Sequence, residues 1–284
     1  MSVRAIAFCV VLYSSFCSAE IRVIDDTGNA VTLAGPAKRI VSLAPHLTEL
    51  LFSLNVGSRV VGTVRFSDFP EAAKSIPVLG DAFAISLESI VSSEPELVVA
   101  WHTGGANNII ERLRTLGIPV YVNEATDLQS IARSIRALAV LVGRKEYGET
   151  LALKFSDEIS RLKDVYAGTN KKVFFQISDQ SLFTINDSHL IGQAMSVCGV
   201  QNIFGDSPIP VPIVSKEGVL AANPEIIVIS QPIDSERSPW IEKWSEIEGF
   251  VDRIRLIDPA LISRPSLRMS KGVKELCNLV REQL

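Results

Sequence analysis

One stretch near the middle of the chain limits the folds open to it. Tyr147, Leu151, Phe155, Ile159 and Leu162 recur every three or four residues, the spacing of one helix face. This predicts a single amphipathic helix over 144–167, about 35 Å long at 1.5 Å per residue. Gly168, Thr169 and Asn170 end it, with lysines just beyond. On either side the period changes. Before the helix, short apolar runs at 39–43, 60–64, 97–101 and 119–122 alternate with helical patterns at 48–54, 87–93, 106–116 and 128–142. After it come runs at 173–177, 182–185, 226–230 and 254–258, a helix through Cys198 and a final helix carrying Cys277. Strands alternating with helices mean a mostly parallel sheet covered on both faces. The fold class expected is therefore α/β, with two such lobes joined by one long backbone helix and a cleft between them. A hairpin at 22–33, turning at Asp-Thr-Gly-Asn, precedes the first lobe.

The first 19 residues read as a segment to be excluded from the fold. Arg4 precedes an apolar run over 5–17, and Cys17-Ser18-Ala19 sets small residues at the third-last and last positions before a cut. That is a secretory signal peptide cleaved after Ala19, giving a mature chain that starts at Glu20. The run is shorter than the ~20 apolar residues a membrane span needs. A lipoprotein cut before Cys17 stays open, although Ser14 stands where such a cut wants Leu. The remaining 265 residues (284 minus 19) exceed one ordinary core. The expected division is 1–19 signal peptide, 20–142 first lobe, 143–168 connecting helix and 169–284 second lobe. One packed helix between lobes limits closure to a small rocking motion, which suits a large, rigid ligand in a preformed cleft.

A net charge of −4 argues against a nucleic-acid partner. Of four cysteines, Cys9 and Cys17 leave with the signal, so Cys198 and Cys277 remain. Two cysteines in an oxidising compartment suggest one disulfide, the alternative being two separate buried thiols. No G-x-S-x-G, P-loop, G-x-G-x-x-G or H-E-x-x-H motif occurs. Of three histidines, His46 and His102 each follow an expected strand and could share the cleft mouth, while His189 lies in a second-lobe loop. A metal or haem-iron role would want a second ligand at tight spacing; without one, each reads as a hydrogen-bonded loop histidine. Glu49 reads as a capping-region carboxylate beside Thr48.

RIVSLAPHLTELLF (39–52), FSDFP (66–70), SLESIVSSEPELVVAW (86–101), ERLRTLGIPVYV (111–122), LFTI (182–185), SVCGVQNIF (196–204), PVPIVSKEGVLAANPEIIVIS (210–230) and ELCNLV (275–280) follow one another in a specific order and spacing. In these runs the chain resembles the periplasmic vitamin B12 (cobalamin) binding proteins of ABC importers, within the helical-backbone class that also binds siderophores and haem. The resemblance implies no enzymatic activity and no cofactor, with a corrinoid as the transported ligand. It implies a monomer in the periplasm and an ABC importer as partner, its permease dimer carrying ATPase subunits. Cys198 and Cys277 match the family's paired cysteines. Glu88 and Glu217 match the acidic residues that dock one lobe each onto permease arginines. The implied ligand contacts are Phe66, Phe69, Asp81, Phe83, Trp101, Phe183, Val211, Arg264 with its neighbour Arg268, and His46, because a flat macrocycle buries most area against flat rings. Ala82 and Val211 stand where a well-known member carries tryptophans. Haem or a ferric siderophore is the alternative ligand within the class, and an enzyme or interaction protein on the same scaffold the alternative outside it.

Overall fold

A computed structural model describes residues 20–81, 84–178, 181–232 and 238–281. Residues 1–19, where the signal peptide and Cys17 are expected, and residues Ala82 and Phe83 lie outside the described residues. Strands β1 (Ile21–Ile24) and β2 (Ala30–Leu33) form the antiparallel hairpin. Asp25 Oδ1 closes its turn by accepting from the Thr27 and Asn29 amides at 3.0 and 2.8 Å, and Gly28 takes the positive φ (+85°) there.

The first lobe then runs β3 (Ile40–Ser42), α1 (Pro45–Ser53), β4 (Val60–Gly62), α2 (Leu87–Ser92), β5 (Leu97–Trp101), α3 (Asn107–Thr115), β6 (Val120–Asn123) and α4 (Leu128–Leu141). Its sheet has the order β4-β3-β5-β6, all parallel. After α5 (Lys145–Tyr166) the second lobe runs β7 (Lys172–Gln176), α6 (Leu190–Val197), β8 (Gln201–Asn202), α7 (Lys216–Ala222), β9 (Ile226–Ser230), α8 (Pro239–Ser245), β10 (Ile254–Ile257), α9 (Pro259–Ile262) and α10 (Met269–Arg281). Its sheet is also parallel, in the order β10-β9-β7-β8. Strand β5 and the first four residues of β9 are apolar because both of their faces are covered. Leu97 and Val99 of β5 join one core while Val98 and Ala100 join another; Ile226 and Val228 of β9 divide from Ile227 and Ile229 in the same way.

The core shared by the inner faces is continuous. Leu47 and Ile135 of the first lobe, Phe155, Ile159 and Leu162 of α5, and Met195 and Leu276 of the second lobe belong to one apolar cluster. At 22 residues α5 is about 33 Å long, and it packs against α4 on one side and α6 and α10 on the other. The sequence pattern misplaces its first two turns. Gly148 and Ala152 face the core there, while Tyr147 is exposed and Leu151 only half-buried. The reason is a close approach to α4: a Cβ on Gly148 would stand 2.1 Å from the Ala139 Cβ. Small residues therefore take the buried face, and the large ones are turned aside.

Two further expectations need correction. Residues 182–185 add no strand to the parallel sheet. They pair antiparallel with 210–214 outside it, through Thr184 N–H to the Pro212 carbonyl (3.0 Å) and Val214 N–H to the Leu182 carbonyl (2.9 Å). Pro210 and Pro212 can accept but not donate, so the ladder stays sparse. Helix α1 starts at Pro45, three residues earlier than the pattern places it, and Thr48, expected at or just inside its start, lies inside it and buried, with Oγ1 2.9 Å from Ser42 Oγ.

Cys198 at the end of α6 and Cys277 in α10 form a disulfide, their Cα atoms 4.8 Å apart. It staples together the two helices that receive α5.

Candidate functional site: the cleft between the lobes

Parallel sheets open their ligand sites at the carboxyl ends of the strands, and the first lobe puts Trp101 there, at the end of β5 and half-buried. Its ring meets His46 edge to face, the centroids 5.5 Å apart at 89°. His46 is itself fully enclosed, and its Nε2 lies 3.0 Å from Asn123 Oδ1. Asn123 Nδ2 donates to the Asp26 carboxylate (2.9 Å) and Ser134 Oγ (2.7 Å). A carboxylate only accepts, so the Asn123 amide orientation is fixed, Oδ1 must accept, and His46 carries its proton on Nε2. Burial pushes the His46 pKa down to about 4; the Asn123 hydrogen bond opposes this and the Arg264 charge adds to it. The imidazole is neutral at physiological pH and braces the tryptophan from behind.

The other rim residues leave the core. Phe66 is 67% exposed and holds φ +68°, a conformation costing about 1 kcal/mol or more in a residue with a Cβ. Buried Ser67 pins the loop to α1, its Oγ 3.3 Å from Thr48 Oγ1. Phe69 is also exposed, and the Arg268 guanidinium sits 3.9 Å above its ring. Core packing therefore does not account for either phenylalanine. From the second lobe come half-buried Phe183 and, on the segment that pairs with it, exposed Ile209, Val211 and Ile213. Asp81 is half-buried and its Oδ1 accepts from the Ala84 amide at 3.0 Å.

Between the lobes lies a polar cluster that the sequence reading missed. Glu49 does not cap α1; it is buried in the second turn, and every polar partner of its carboxylate comes from the second lobe. Arg264 Nη1 approaches Glu49 Oε1 at 3.0 Å and Asp68 Oδ1 at 2.7 Å, and Arg268 Nη1 approaches Glu49 Oε1 at 3.1 Å. The Ser266 hydroxyl donates to Glu49 Oε2 at 2.5 Å. Burial works against the charged forms, but mutual hydrogen bonding and charge outweigh it: Asp68 titrates below its ordinary range and Arg264 above. One signal was present in the sequence, a lone carboxylate set among Leu47, Leu50 and Leu51 on a helix.

His102 is exposed, and His189 caps α6 by accepting from the Ile191 amide through Nδ1, so neither joins His46. Among the described residues no three His, Cys, Asp or Glu side chains converge as a metal site would need, and no helix there is long and apolar enough to cross a membrane.

Glu88 and Glu217 occupy matching places. Each is exposed in the first turn of a short helix, α2 or α7, two residues after a serine (Ser86, Ser215) whose hydroxyl accepts the N3 amide. Each helix ends on a left-handed residue at φ +46° (Glu94, Asn223) followed by Pro-Glu. The second glutamate then accepts a lysine amide from the edge of the neighbouring strand, Glu96 from Lys38 at 2.6 Å and Glu225 from Lys172 at 3.0 Å. The two lobes thus repeat one local design, and the repeat gives each a forward acidic residue.

Two parallel-sheet lobes of the same build, tied by one helix and bridged by the Glu49 cluster, are the architecture of a two-lobed binding protein. The chain belongs to the periplasmic binding protein family, whose sequence profile matches residues 40–245. It is 32% identical over 246 residues to the vitamin B12-binding protein of Vibrio campbellii, covering 86% of this chain and 89% of that one. It is 37% identical over 195 residues to the vitamin B12-binding protein of Pectobacterium carotovorum, covering 68% and 71%. Among solved structures, the periplasmic vitamin B12 binding protein BtuF of Vibrio cholerae superposes with a TM-score of 0.77 at 30% identity, covering 87% of this chain and 97% of that one. The periplasmic heme-binding protein RhuT of Roseiflexus shares the fold, with a TM-score of 0.74 at 23% identity and coverage of 86% and 98%.

Proposed function

We propose that this chain captures a corrinoid, vitamin B12, in the periplasm and delivers it to an ABC importer without acting on it chemically. The observation that carries the reading is that aromatic rings are kept out of the core, Phe66 at 67% exposure and Phe69 at 41%, while Trp101 at a strand's carboxyl end is braced by a neutral histidine. The vitamin B12-binding relatives support it. In this reading lobe 20–142 contributes Phe66, Phe69, Asp81, Phe83 and Trp101, with His46 behind, and lobe 169–284 contributes Phe183, Val211 and Arg264. A flat ring buried between such faces gains about 25 cal/mol per Å² of apolar surface removed from water, with little side-chain ordering to offset it. Glu88 and Glu217 dock the lobes onto a basic, two-fold permease dimer. Export follows from cleavage after Ala19.

Calorimetric titration of the mature protein with cyanocobalamin, ferric haem and a ferric catecholate tests this. Saturable one-to-one binding of cyanocobalamin is expected. Binding of haem or the siderophore alone would leave the fold and the importer partnership standing and replace the ligand.

A further inference from the structure

The cleft's two second-lobe arginines are already neutralised. Arg264 and Arg268 face Glu49 and Asp68 at 2.7–3.1 Å, two cations against two carboxylates. The Glu49 side chain is 2% exposed and each arginine side chain 17%, so these charges interact through protein more than through solvent. The face of the Arg268 guanidinium is covered by Phe69.

A partly buried arginine pair with no internal partner would be a site for carboxylate or phosphate. Here an arriving anion meets one of two penalties. It displaces Glu49 and leaves that carboxylate buried and unpaired, or it settles beside two existing carboxylates. A neutral amide meets neither. Both Arg264 contacts run through Nη1, and a guanidinium has five N–H donors, so donors remain for an amide carbonyl while the charge stays balanced.

We propose that Glu49, assisted by Asp68, is a specificity determinant that makes the cleft reject macrocycles fringed with carboxylates and accept those fringed with amides. The proposal rests on the corrinoid reading of the cleft and adds the residue that sets its charge preference. Discrimination here works by repulsion as much as by attraction.

The probes are cyanocobalamin and its derivatives with one to three peripheral amides hydrolysed to carboxylates, which keep the ring and its size and change only the charge. Wild-type protein should bind the parent at least about tenfold more tightly than the tricarboxylate, about 1.4 kcal/mol. Glu49→Gln and Asp68→Asn each remove one negative charge with little change of shape. Each should narrow that ratio about fivefold or more at low ionic strength, and less at 1 M salt, where the screening length falls to about 3 Å. Thermal melts by circular dichroism show which variants fold. If Glu49→Gln does not, Asp68→Asn decides, since that side chain is 51% exposed. Wild-type protein that binds carboxylates as well as the parent, or folded variants that leave the ratio unchanged, would overturn the inference while the corrinoid reading stood. Wild-type protein that binds no member of the series would overturn both.

Discussion

Cys198 and Cys277 are both fully buried, and the bond between them, at a sequence separation of 79, closes a loop around most of the second lobe. Replacing both with Ala frees that loop in the unfolded chain. With n set to 79, the chain-entropy relation gives about 15 cal/mol/K, or about 4.5 kcal/mol at 25 °C. The loss should fall on the second lobe, because the bond ties α6 to α10 there and the first lobe holds neither end. The three tryptophans separate the lobes optically: Trp101 belongs to the first, and Trp240 and Trp244 pack together in the outer core of the second. In a Trp101→Phe background, fluorescence during urea titration therefore reads the second lobe alone. At a slope of about 2–3 kcal/mol per M, the double substitution should lower that midpoint by about 1.5–2.3 M. Reducing the parent protein should reproduce the shift. A shift below about 0.5 M, in a parent whose non-reduced mass spectrum shows the Cys198–Cys277 link, would refute the reasoning; so would free thiols on protein taken from the periplasm.

Replacing both Glu88 and Glu217 with Arg should abolish uptake by whole cells while calorimetric ligand affinity stays within about twofold, since both side chains are exposed and outside the cleft cluster. Trp101→Ala should weaken cyanocobalamin binding by about 1–3 kcal/mol in the same calorimeter. His46→Gln should flatten the acid limb of the stability curve. Its folded pKa of about 4 lies below the ordinary 6.5, so between those values the unfolded chain takes up a proton that the folded chain does not, and stability falls as pH drops from 6.5 to 4. That fall is about 3 kcal/mol from this group, and urea titrations of both proteins at several pH values measure it as a difference.

Local pattern carried most of the architecture. The apolar runs of β5 and β9 declared strands buried on both faces, and the spacing from Phe155 to Leu162 declared the long helix. The errors came where a neighbour in space decided the outcome. Gly148 displaces Tyr147 from the buried face only because α4 lies close. Residues 182–185 have a strand's composition, yet their partner is a proline-containing segment about 30 positions away and not the sheet. The Glu49 cluster is the extreme case: Arg264 stands 215 residues further along. A pairing across lobes depends on how α5 sets one lobe against the other, and no window of sequence contains that angle. A carboxylate on an apolar helix face announces only that some partner must exist.

The same cross-lobe contacts bear on how a ligand could leave. Two lobes joined by flexible strands can swing apart without exposing core, whereas here Phe155, Ile159 and Leu162 of α5 belong to one apolar cluster with both lobes. Uncovering any one of them costs about 1.5–3 kcal/mol, and wide opening would also strip buried Glu49 of its arginines, which costs about as much again. Wide opening is therefore expensive, which favours a small rocking motion about α5. Under the proposed function, release then needs outside work applied to both lobes. Glu88 and Glu217 supply one handle on each, at matching places in a repeated design, so a partner that grips both can drive the rocking that the free protein resists.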